Sequence, residues 1–106
     1  MSDTDVLRAA ADRLERLAAR ATPGDWRTTG LLASRPEVVA HRPDGATEHV
    51  AEARAASAAW ITALSPAVAA PLAGWLRAEA GSPSPAPDSV TVARVLLARL
   101  PDDQPG

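Results

Sequence analysis

Apolar residues recur every three or four positions at the start of the chain, where Leu7, Ala10, Leu14, Leu17 and Ala21 form one stripe. Arg8, Asp12, Arg13, Glu15, Arg16 and Arg20 take the other faces, which predicts an amphipathic helix over residues 3–20. Ser2 reads as its N-cap with Asp5 three positions on, and Asp12 stands four residues before Arg16. Pro23 ends the helix by disfavouring the helical region for Thr22. Pro23-Gly24 then fits the middle of a type II turn.

The period changes after Trp26. Residues 38–41 and 47–50 read as strands around Arg42-Pro43-Asp44-Gly45, a type I turn sequence with glycine placed for a bulge. Pairing Arg42 with Ala46 sets Val38 opposite Val50 and Val39 opposite His49. Residues 26–32 are a candidate third strand, interrupted by Gly30. A lone hairpin is marginal, so these strands must lean on helices.

The remainder is helical. Ala53, Ala56, Trp60 and Leu64 make one stripe of a helix over roughly residues 52–64. Ser65-Pro66 reads as N-cap and first position of the next helix. That helix carries Val68, Leu72, Trp75 and Glu79 along one side as far as Ala80, and Pro71 should kink or restart it. Residues 81–87 form a Pro/Ser linker. Asp88 or Ser89 caps a last helix with Val92, Ala93, Leu96, Leu97 and Leu100 inward, and residues 101–106 read as a disordered tail. The expectation is one small α+β domain over residues 1–100. It is mostly helical: an N-terminal helix, a β-hairpin with that candidate third strand, then three helices.

Composition sharpens this picture. Leu, Val, Ile and Phe number only 20 of 106 residues, while alanine alone supplies 25. Small side chains bury little area, at about 25 cal/mol per Å², so a lone monomer should be marginal and a homodimer or larger assembly is expected. With so few large residues, Trp60 and Trp75 are expected as core or interface anchors beside Leu96, Leu97 and Leu100. All eleven basic residues are Arg, and Lys, Asn, Cys, Tyr and Phe are missing. That bias against AT-rich codons points to a high-GC genome such as an actinobacterial one. Residues 55–76 carry no charge, but Ser57, Thr62, Ser65, Pro66, Pro71 and Gly74 interrupt them. A buried helical hairpin is therefore expected there and no membrane span. The N-terminus has no apolar leader run, so a cytoplasmic location is expected.

The run Ala21-Thr22-Pro23-Gly24-Asp25-Trp26-Arg27 precedes a variable stranded segment. After it come Ala59-Trp60-Ile61, Leu64-Ser65-Pro66-Ala67, Leu72 and Leu76. Over roughly residues 20–80 this pattern resembles small actinobacterial and actinophage proteins, which are in turn similar to the Ead-like accessory proteins of temperate-phage early regions. The resemblance implies a phage or prophage setting and partners among host or phage proteins, and it carries over no catalytic residue.

Chemistry is sparse. No G-x-S-x-G, phosphate loop or paired carboxylate stands out, so catalysis and bound cofactors are not expected. His41 and His49 fall on one sheet face with Glu37, too few ligands for a structural metal. A net charge of −2 without a basic run argues against nucleic acid. Two readings survive. One is a self-associating interaction protein, in which the i,i+4 row Ala55, Ala59 and Ala63 would let another helix approach closely. The other is a protein that sequesters a small anion through Arg27, Arg42 or Arg54 beside Trp26 or Trp60.

Overall fold

The computed structural model describes residues 1–30 and 35–101. Its contacts gather the chain into two compact units, where the sequence pattern reads as one domain. One unit joins Met1–Arg20 to the described part of Val68–Gly106; the other is the contiguous segment Ala21–Ala67. The architecture is α+β, mostly helical, with an N-terminal helix, three antiparallel strands and then helices.

In the helical unit, α1 (Asp3–Arg20) packs on both α3 (Ala69–Ala80) and α4 (Pro87–Arg99). The capping box at its start forms: the Asp5 N–H donates to Ser2 Oγ at 3.1 Å, and the Ser2 nitrogen donates to the Asp5 carboxylate at 3.2 Å. Those bonds hold the Asp5 carboxyl below its usual pKa. The core is Val6, Leu7, Ala10 and Ala11 of α1, Ala73, Leu76 and Ala80 of α3, and Val90 and Ala93 of α4. Most of these are alanine, so the helices gain their contact by approaching closely rather than by interlocking large side chains.

The seam of α3 departs from the expected Val68, Leu72, Trp75, Glu79 stripe. Ala69, Ala73, Leu76 and Ala80 are buried, while Leu72 is half-buried and Trp75 exposed. Arg77 accompanies the rotation. It donates to Asp12 at 2.9 Å and also pairs with Glu15, both on α1, and these bonds raise its pKa above the ordinary arginine value. Pro71 restarts the helix: a 3-10 turn covers Pro66–Val68 and α3 begins at Ala69. Pro71 thus lies in the first turn, where the missing N–H costs no helical bond.

The last helix starts earlier than Asp88 or Ser89, because Pro87 takes its first position and Ala86 caps it. Ser89 is buried instead, its hydroxyl donating to the Ala86 carbonyl at 2.6 Å. Val92, Leu96 and Leu97 pack against the core as expected, and Leu100 is half-buried. The connection before α4 is tied down rather than free, since the Ala86 N–H donates to the Glu79 carboxylate at 2.8 Å. Of the expected tail only Pro101 is described.

The second unit is a three-stranded sheet of order β1-β2-β3: β1 (Asp25–Thr29), β2 (Glu37–His41) and β3 (Thr47–Glu52). Its third strand is β1; Leu31 and Leu32 of the expected strand lie outside the described residues. Gly24 has φ 118°, and a Cβ there would sit 2.8 Å from the His41 carbonyl oxygen, so both backbone shape and space demand glycine. The hairpin turn forms as expected: the Gly45 N–H donates to the Arg42 carbonyl at 3.0 Å, the Arg42 N–H to Ala46 at 2.9 Å, and Gly45 has φ 88°. Val39 pairs with His49, but Val38 pairs with Ala51 rather than Val50, because a bulge inserts one extra residue into β3. Helix α2 (Ala55–Ala63) lies on β1 and β2.

Candidate functional site

The feature that separates α2 from the other helices is its surface. Its sequence, AASAAWITA, holds no charged residue. Ala58 is buried, and Ile61 and Thr62 are half-buried, followed by the buried Ser65. These positions step by three and four, so they form the inward face. The expected inward stripe of Ala53, Ala56, Trp60 and Leu64 is therefore corrected: Trp60 is 70% exposed and Leu64 57% exposed. Polar inward residues are tolerated because they find partners. Thr62 Oγ1 donates to the Ala59 carbonyl at 3.0 Å, and Ser65 Oγ accepts from the Ala67 N–H at 3.4 Å. With Ala58, Ile61, Thr62 and Ser65 inward, the rest of α2 turns outward: Ala55, Ala56, Ser57, Ala59, Trp60, Ala63 and then Leu64.

The expected buried hairpin over residues 55–76 is likewise corrected. Of its seven large apolar residues, only Leu76 is buried; Ile61, Val68 and Leu72 are half-buried, and Trp60, Leu64 and Trp75 are exposed. Neither tryptophan is a core anchor. By length and composition, residues 55–80 would suffice to cross a membrane, with 17% of the apolar window buried.

The anion-site candidates do not converge. Trp26 is half-buried on β1 and donates its indole N–H to the Thr22 carbonyl at 2.9 Å. Arg27, the next residue, points to the opposite sheet face and pairs with Asp25 at 2.7 Å. Arg42 lies at the turn end of β2, paired with Glu48 at 3.0 Å. Arg54 caps the start of α2 beyond the other end of the sheet. It lines a shallow depression of about 320 Å³ with Arg35, Glu52 and Ala53, in which Arg35 reaches Glu52 at 3.7 Å. Among the described residues no aromatic side chain lines it.

On the open sheet face, His49 Nδ1 meets the Glu37 carboxylate at 2.6 Å, and His41 lies diagonal to His49. No group of three metal-ligating side chains gathers among the described residues. Compared with protein-family models, with curated proteins and with solved structures, the chain finds no match. The exposed apolar surface of α2 is thus the strongest site. The stripe Ala53, Ala56, Trp60 and Leu64 keeps helical spacing, but spacing alone does not tell which side of an uncharged helix faces inward. With no charged residue on any side, α2 carries no polar stripe to mark its outward face.

Proposed function

We propose that the protein is a small non-catalytic interaction module that works by associating with a second copy of itself. The observation that carries this reading is the exposed, uncharged surface of α2, with Trp60 at 70% and Leu64 at 57% exposure. Contiguous exposed apolar surface on a small chain marks an interaction site. A second copy suits it because two uncharged helices meet without desolvating a charge. The row Ala55, Ala59 and Ala63 lets backbones come close, and Trp60 supplies a large anchor of the kind that dominates interfaces. The resemblance to actinophage and Ead-like accessory proteins adds a phage or mobile-element setting.

Light scattering and sedimentation test the reading. The wild-type chain is expected to be a dimer or larger at micromolar concentration, and Trp60→Ala to shift it to monomer while it stays folded, with the thermal transition lowered by the lost association alone. A cooperatively folded monomer of 11.0 kDa at high micromolar concentration would overturn it.

A further inference from the structure

We infer that the outer edge of β1 seats the second copy, paired antiparallel about Trp26 so that two three-stranded sheets become one of six strands. This deepens the self-association proposed above and rests on it.

The backbone directions follow from the ladder. The Arg42 N–H donates to the Ala46 carbonyl at 2.9 Å, and the Ala53 N–H to the Pro36 carbonyl at 3.1 Å. The even-numbered residues of β2 therefore bond β3, and Glu37, Val39 and His41 turn towards β1. Their partners there are Thr29, Arg27 and Asp25. Trp26 and Thr28 are left with N–H and C=O groups directed away from the sheet, and no described residue bonds them from outside.

The two edges of the sheet are not alike. The bulge in β3 kinks that edge and breaks its regular row of donors and acceptors, a usual guard against pairing. On β1, in contrast, all five residues pair in unbroken register with β2, with neither bulge nor proline.

Charge chooses the register. A two-fold axis at Trp26 sets Trp26 opposite its copy, with both outward N–H groups meeting outward carbonyls. Asp25 of each copy then lies opposite Arg27 of the other, and Thr28 opposite Gly24, which presents no side chain. Sliding by one residue in each copy would set Arg27 against Arg27, a like-charge pair. The same axis sets α2 and its counterpart on one face of the joined sheet, each resting on its own β1 and β2, so that the two helices approach across the dyad. No charged residue of α2 obstructs that approach.

The test uses the full chain in sedimentation equilibrium, with circular dichroism as the control for folding. Asp25 and Arg27 are both more than half exposed, so Arg27→Asp and Asp25→Arg should each fold. Alone, each variant is expected to self-associate at least roughly tenfold more weakly than wild type, because like charges oppose across the dyad. Mixed one to one, they should recover a heterodimer, since every cross-strand pair is then opposite in sign. Thr28→Pro removes an outward N–H and should yield a folded monomer. Dimers that persist in all three variants, with no preference in the mixture, would overturn the edge pairing and leave self-association standing. A monomeric wild-type chain would instead remove the self-association reading and the edge pairing with it.

Discussion

In the helical unit, charged side chains mark the outer faces of the helices; in the sheet unit, α2 has no charge to mark one. On α1 the buried positions Val6, Leu7, Ala10 and Ala11 cluster in the first half, while Leu14, Leu17 and Ala21 of the expected stripe are half-buried. On α3, Ala73, Leu76 and Ala80 face inward and Trp75 outward, with Arg77 bonding Asp12 and Glu15 at the rim. With nothing comparable on α2, its orientation follows from which side fits against the sheet. Ala58 is buried against the sheet, and the larger Trp60 is left in water. The two units thus hold together by different means: closely packed alanine seams in one, backbone geometry and turn chemistry in the other.

The largest effect should come from the helical seam. Leu7 and Leu76 are fully buried, so Leu7→Ala or Leu76→Ala is expected to cost about 2–5 kcal/mol in urea denaturation. A cost below about 1 kcal/mol would mean that the seam collapses around the lost volume, and that helix packing does not dominate this unit. The matching experiment in the sheet unit is Gly24→Ala. The added methyl meets the His41 carbonyl, and φ 118° disfavours any other residue, so a loss of about 1–3 kcal/mol is expected. Amide exchange should report it first in β1 and β2.

The smallest expected effect sharpens the comparison at the start of α1. Ser2→Ala removes the cap and should cost about 0.5–2 kcal/mol. Acid acts on the same contact. The Asp5 carboxyl has a lowered pKa in the folded chain because of its bonds to Ser2. Its contribution is therefore complete above the unfolded value of about 3.9 and is lost as pH falls through the lower folded value. Melting temperature measured across the acid range should fall less steeply in Asp5→Asn than in wild type.

These contrasts explain what was legible in the sequence. The bounds of α1, its capping box and the Arg42–Gly45 turn depend on neighbouring residues, and the sequence pattern places them correctly. The bulge at Val50 was hidden because β-branched residues suit either register. The rotation of α3 depends on which side fits against α1, some sixty positions away, which no local window contains. At the candidate site the residue was legible and its direction was not. Trp60 stood out by size, and size alone says nothing about which side of an uncharged helix faces inward.

The helical unit draws α1 from one end of the chain and α3 and α4 from the other, with residues 21–67 between them. During synthesis at about 5–20 residues per second, α1 is complete several seconds before α3 has emerged. The intervening segment is contiguous and can close on itself first, whereas α1 must keep its inner face in water until Ala73, Leu76 and Ala93 arrive. That face is Val6, Leu7, Ala10 and Ala11, and half of it is alanine. A stripe of small side chains offers little adhesive area to other nascent chains, so the same feature that leaves the finished core thin shields the unfinished helix from aggregation.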